Sequence, residues 1–342
     1  MSRFTSSSDN AGSTRQMTSQ IRVGIVGLGF YLPPEVRRND WWAPSLVDHW
    51  MERRQAAPHE ELDPFQGTVE RRIMPRHMTV LDMEEAAARA AIAHAGIDAR
   101  AVDLLLTYSV LPDVLLGNPA FALHRRLDLS SGCLSLHTDA AGDSFLVQLA
   151  LAEALIVAGR ARCALLVQSS APSRRLDMSD PSAPIFGDAA TAAVVHPVSG
   201  ASGVEASVSL TGGAGVPGQA TTDPAQVVEA CKQTIDAALQ RAGHHARDVR
   251  LLCMHQAPWL CRLVIEAAGL HNAQTLDTYA QTGHIYASGI PAQLALAEKQ
   301  GLVGAGELVV LAGGATGGAH GAVVLRWGGG SLTRGAITGG AP

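Results

Sequence analysis

Aromatic residues are scarce. Only 4% of the 342 residues are Phe, Trp or Tyr, which argues against an aromatic-rich all-β fold. Excess positive charge is also missing: 26 Lys and Arg stand against 31 Asp and Glu, a formal net charge of −5 that gives no footprint for nucleic acid or an anionic membrane surface. No apolar run reaches the ~20 residues needed to span a bilayer. Five cysteines, Cys133, Cys163, Cys231, Cys253 and Cys261, are scattered, odd in number and without a CxxC pair. This excludes a disulfide framework or zinc site and points to reduced, buried thiols in a cytoplasmic protein. The pair His244-His245 has no further ligand spacing around it, so no metal is expected. Residues 1–19 are Ser-rich and lack an apolar core; they read as a disordered leader, not a signal peptide or anchor.

What the chain has in quantity is apolar sequence, 47% hydrophobic with abundant alanine and 35 glycines, enough for one large core or two ordinary domains. The stretch from Leu134 to Ala150 organises the rest. It reads as a buried strand, a small-residue turn through Ala140, Ala141 and Gly142, and an apolar helix from Phe145 to Val157. A strand turning directly into a buried helix leaves unpaired backbone N–H groups at the helix start, a suitable place for a nucleophile or an anion. Around it, continuous apolar strands are expected at 22–29, 102–110 and 163–168, with a helix over 82–95 capped by Gly96. Later come helices over 224–242 and 290–300 and strands over 251–255 and 308–311. The Gly-, Ser- and Thr-rich stretch 196–223 reads as a linker between halves spanning 20–196 and 224–328. Gly27-x-Gly29 does not read as a dinucleotide turn, because the third glycine is missing and Pro33-Pro34 stands where a helix would begin.

Several segments together resemble the β-ketoacyl-acyl-carrier-protein synthase III family of the thiolase superfamily. They are the opening strand followed by Tyr31-Leu32-Pro33 and Val36-Arg37-Arg38-Asn39; Ile185-Phe186-Gly187-Asp188; Met254-His255-Gln256-Ala257; Gly283-His284 through Ser288-Gly289-Ile290-Pro291; and Gly313-Gly314-Ala315-Thr316-Gly317 before the strand 323–327. The resemblance covers about residues 20 to 328. It implies an α/β thiolase fold of five αβαβα layers with two pseudo-symmetric halves, no resident cofactor, and an acyl or malonyl thioester of coenzyme A or acyl carrier protein as substrate. The family's nucleophile segment, Ala-Ala-Cys-x-Gly-Phe, stands here as Ala140-Ala141-Gly142-Asp143-Ser144-Phe145. Gly142 thus falls at the cysteine position and the family's asparagine is His284.

From this resemblance follow the candidate roles. His255 and His284 polarise a thioester carbonyl or stabilise an enolate, and backbone groups at Gly142, Gly314 and Gly317 form the oxyanion site. Ser144 is the nearest substitute nucleophile, although two residues along a helix turn its side chain by roughly 200° from the cysteine direction, so only a later helix start would bring it to the pocket. Asp143 would orient a histidine or act as base, or simply compensate the helix dipole. Trp42, Arg72 and Arg76 are candidates for adenine or phosphate contacts at the entrance, against the alternative of a solvated arginine-rich insertion. The 111–121 loop, with Leu115-Leu116 at its tip, would pack on the partner of a homodimer. Three functions stay open: an acyltransferase or condensing enzyme of a biosynthetic pathway using Ser144; a catalyst without an acyl-enzyme; and a non-acylating subunit of a heterodimer.

Overall fold

The structure is a computed structural model that describes residues 21–54, 63–113, 116–211, 223–314 and 318–329. Its strands are β1 (Arg22–Tyr31), β2 (Glu35–Arg38), β3 (Glu70–Ile73), β4 (Leu104–Ser109), β5 (Leu134–His137), β6 (Ala164–Ser170), β7 (Ala189–Val198), β8 (Gly203–Thr211), β9 (Val249–Met254), β10 (Leu308–Gly314) and β11 (Ala319–Arg326). The helices are α1 (Pro44–Arg54), α2 (Val80–Ala95), α3 (Ala120–Arg126), α4 (Ser144–Val157), α5 (Pro224–Ala242), α6 (Pro258–Ala268), α7 (Tyr279–Thr282) and α8 (Gly289–Lys299).

Two sheets carry the fold, one ordered β1-β7-β6-β4-β5 and the other β8-β11-β10-β9. Helices α4 and α8 lie between them: Phe145, Leu146, Leu149, Ile156, Ile290 and Leu294 share one cluster with Leu104 and Leu166 of the first sheet and Leu251 and Leu311 of the second. Helices α2 and α3 cover the outer face of the first sheet. Helices α5 and α6 cover that of the second. These are the five αβαβα layers expected of the sequence. Packed between the two sheets, α4 reads SFLVQLALAEALIV without a polar stripe, with Leu151 and Val157 left exposed. Each of its fully buried Leu and Phe side chains contributes about 2 kcal/mol of burial. Its one buried amide, Gln148, bonds to Thr138 and Gln168.

Glycines Gly27 and Gly29 let α2 lie directly on β1. A Cβ at Gly29 would stand 2.0 Å from the Ala87 carbonyl oxygen, and one at Gly27 2.4 Å from that of Ala91, so the pair serves packing. Thr79 and Asp82 form a reciprocal capping box at the start of α2, and Gly96 closes it in the left-handed region at φ 68°.

The reading of 196–223 as a linker is corrected: residues 203–211 are β8, an edge strand of the second sheet paired antiparallel with β11. β5 pairs with β4 and forms the other sheet's edge, where Leu134 and Leu136 are exposed. Among the described residues no helix is long and apolar enough to cross a membrane.

Candidate active site

The chain turns out of β5 into α4 through a single turn of 3-10 helix, Ala141–Asp143. Ala141 sits at φ 52°, a left-handed conformation that costs a non-glycine residue roughly 1 kcal/mol or more. The Asp139 carboxylate offsets this by accepting from the Ala141 N–H at 2.8 Å. The turn presents Gly142 to the ring of His255, at the C-terminal end of β9. A Cβ on Gly142 would lie 2.9 Å from both Cε1 and Nε2 of that ring, closer than real Cβ contacts come. On its other side the ring's own Cβ abuts Gly289, where an added Cβ would again be at 2.9 Å. The His255 ring therefore stands directly against the Gly142 backbone.

His284 faces His255 edge-on, with ring centroids 5.6 Å apart and planes at 86°. It is clamped by backbone: its N–H donates to the Ile185 carbonyl at 2.6 Å and its carbonyl accepts from the Gly187 N–H at 3.2 Å. Phe186 and Tyr286, stacked 5.1 Å apart, stand edge-on to the ring along with Tyr279. Burial first, and His255 second, push the imidazole down to about 3, so it is neutral near pH 7. Its Nδ1 accepts the Tyr286 N–H at 3.2 Å, which leaves Nε2 carrying the proton. His284 is thus a fixed neutral donor, as an asparagine amide would be.

This depression has a consequence for stability. The unfolded chain protonates His284 at about 6.5 while the folded chain resists protonation until about 3, so stability falls as pH drops through that range. A His284→Asn variant, with no proton to take up, is expected to lose less stability between those limits; urea midpoints measured across the range check it.

Asp143 is 1% exposed, and its Oδ1 lies 3.7 Å from His255 Nε2. The carboxylate rests on Gly313 at the end of β10, where a Cβ would come within 2.1 Å of Oδ1. Burial raises its pKa, partly opposed by His255. Next to it, Gln256 donates through Nε2 to the Gly314 carbonyl at 2.9 Å, tying β9 to β10. Above this floor opens a cavity of about 380 Å³, lined by Ala141, Gly142, His255, His284 and Gly314 and walled by apolar and aromatic side chains. A histidine pair at the foot of an apolar chamber suits a carbonyl on a hydrophobic chain.

Residues 136–212 match the 3-oxoacyl-(acyl-carrier-protein) synthase III family and residues 239–327 match its C-terminal region. The β-ketoacyl-(acyl-carrier-protein) synthase III of Ruegeria pomeroyi is 30% identical over 334 residues, covering 90% of this chain and 99% of its own length. The chain belongs to the synthase III family. Members of this family are acyltransferases acting in condensation. The Symbiobacterium thermophilum synthase III is 29% identical over 90% of this chain. The crystal structure of synthase III, FabH, from Pseudomonas aeruginosa PAO1 superposes with a TM-score of 0.77 at 29% identity, covering 90% of this chain and 98% of its own. OleA of Xanthomonas campestris has the same fold at 18% identity and a TM-score of 0.77.

Set within the synthase III frame, the expected site residues divide. His255, His284, Gly142, Asp143 and Gly314 meet at one floor. Gly317 lies outside the described residues. Ser144 does not reach the cavity. Its helix does start late, with 141–143 still in the turn, yet the hydroxyl donates to the Ala141 carbonyl at 2.7 Å and accepts from the Ala140 N–H at 2.9 Å. Both bonds hold the turn. Trp42 is 4% exposed, its indole N–H donating to the Met178 carbonyl at 3.1 Å, so the adenine contact expected of it is not available; it packs as core. Arg72 reaches back to the Pro33 carbonyl at 3.5 Å, away from the cavity, and Arg76 is exposed. Leu116 is 89% exposed on its loop, while Leu115 lies outside the described residues. Sequence reasoning missed the walls: Tyr108 at the end of β4, Tyr286, Trp259 and Val227. Only Tyr286, two residues after His284, carried any local signal.

Proposed function

We propose that this chain transfers an acyl group from a coenzyme A or carrier-protein thioester directly to an acceptor held in the same cavity, with no acyl-enzyme. The observation that carries the reading is the His255 ring resting against Gly142, which presents no side chain at the position where the resemblance puts the family's cysteine and whose added Cβ would press on the ring at 2.9 Å. The five cysteines are all buried, and none lines the cavity. The Ser144 hydroxyl is committed to backbone on both sides. His284, as a neutral Nε2–H donor, would polarise the thioester carbonyl; one such donor is worth about 3 kcal/mol of barrier. His255 stands where it can exchange a proton with whatever attacks.

Intact-mass spectrometry with a panel of acyl-CoA thioesters tests this. Wild type is expected to gain no acyl mass, and Ser144→Ala to keep thioester turnover within about threefold, since the hydroxyl serves only the turn. An acyl adduct on wild type that Ser144→Ala abolishes would refute direct transfer.

Two copies are further proposed to pair through the β5 edges, where exposed Leu134 and Leu136 leave an unfilled ladder, with the Leu116 tip on the partner. Sedimentation velocity at micromolar concentration should give a dimer; a monomer there would refute the pairing.

A further inference from the structure

We propose that the buried Asp143 carboxylate makes His255 a general base, so that the acyl group passes to a hydroxyl or amine acceptor and not to the carbon of a malonyl thioester. The inference rests on direct transfer and names its acceptor class.

Its basis is the charge balance at the floor of the cavity. Neither Asp143 oxygen has a hydrogen-bond partner among the described residues, although both are fully buried. Burial raises the Asp143 pKa, and a buried carboxylate keeps its charge only beside a compensating positive group. The groups that face the pair come from four directions. His255 Nε2 is at 3.7 Å on the β9 side. His320, on β11, interacts with Asp143 but is itself lowered by burial, toward the neutral form. Cys231 on α5 is pushed up to about 12 and stays a thiol. His284 lies behind His255 and is held neutral. His255 is therefore the basic side chain in direct reach of Asp143.

The two families of acyl transfer ask opposite things of such a pair. In decarboxylating carbon–carbon bond formation, loss of carbon dioxide generates the nucleophile and no base is needed. An enolate anion then develops at the histidines, and a fixed carboxylate beside them opposes it. Transfer to a heteroatom acceptor H–X needs a base. The X–H proton moves to His255, the C–X bond forms, the C–S bond breaks, and the proton passes on to the leaving thiolate, giving the acylated acceptor and free thiol. In that sequence the imidazolium forms next to Asp143, and the carboxylate favours the step. Asp143 touches neither substrate; it is a positioning residue acting through His255, with its Oδ1 3.7 Å from the ring's Nε2.

The test uses the full chain, medium-chain acyl-CoA as donor, and either hydroxylamine or malonyl-CoA as acceptor. Wild type should form the hydroxamate above the uncatalysed rate and no carbon–carbon product. Asp143→Asn, nearly isosteric, should lower hydroxamate formation at least about tenfold and move the acid limb of its pH–rate profile to lower pH, because the imidazolium loses its counter-charge. A merely structural role would lower the rate without moving that limb. If Asp143→Asn keeps wild-type rate and profile, the assignment of Asp143 fails while direct transfer stands. If wild type makes the carbon–carbon product from malonyl-CoA and no hydroxamate, the acceptor class is wrong, a result that needs no variant to fold. Should wild type turn over no thioester with either acceptor, direct transfer fails and this inference with it.

Discussion

Replacing His255 with alanine is expected to lower thioester turnover by about 10²–10⁴-fold, the range lost when a positioned acid–base group is removed. The size of the effect follows from what remains in the cavity. Of the other titratable groups lining it, Tyr108, Tyr279 and Tyr286 are all raised by burial, and His284 is held near 3. The nearby thiols of Cys231 and Cys261 are pushed up to about 12. None of these can exchange a proton near neutral pH. The ring is also supported from both sides, by Gly142 and Gly289, so its removal leaves an imidazole-sized gap. Added imidazole should restore part of the lost rate. Steady-state kinetics at saturating donor measure the loss; a variant retaining more than about a tenth of wild-type turnover would place the base elsewhere.

Gly187→Ala is expected to be the most damaging single methyl in the site. The new Cβ would lie 2.0 Å from the Thr282 carbonyl oxygen and 3.2 Å from Arg71 Cβ. Neither can yield cheaply, since the first is backbone and Arg71 is fully buried, its guanidinium bonded to the Arg37 carbonyl and to Asn39. Overpacking of this sort costs about 1–3 kcal/mol or more. The damage also reaches the chemistry. The Gly187 N–H holds the carbonyl of His284, so pushing the 282–284 backbone away tilts the His284 imidazole relative to His255. Both the urea midpoint and turnover should fall; a wild-type midpoint with wild-type turnover would show that the clamp is slack.

The fold was readable because its elements obey simple periodicities. α4 is apolar all round, α5 begins at Pro224 after the Asp223 cap, and α2 and α5 end at glycines with φ of 68° and 75°. β8 was hidden because its polar residues, Glu205, Ser207 and Ser209, share the composition of the loops around it. His255 and His284 stood out through their flanking motifs, whereas the direction of the Ser144 hydroxyl depends on a turn geometry that residue spacing does not encode. Trp42 looked like a surface aromatic among arginines; it is buried because the 178–179 backbone offers carbonyls to both Trp42 and Trp50. Asp143 was legible as a residue but not as part of a pair, since its neighbours Gly313 and His255 arrive from the ends of two different strands.

Under the proposed direct transfer, the glycine beneath His255 would also change the timing of the reaction. An enzyme that stores the acyl group on its own side chain can release the spent carrier and wait, and each substrate visits an empty chamber in turn. Under direct transfer nothing would retain the acyl group between visits. Donor and acceptor would then have to lie together in one chamber of about 380 Å³, and the first arrival would have to leave a vacancy shaped for the second. Selectivity is then a property of the pair, and a donor that fits well but fills the chamber becomes an inhibitor.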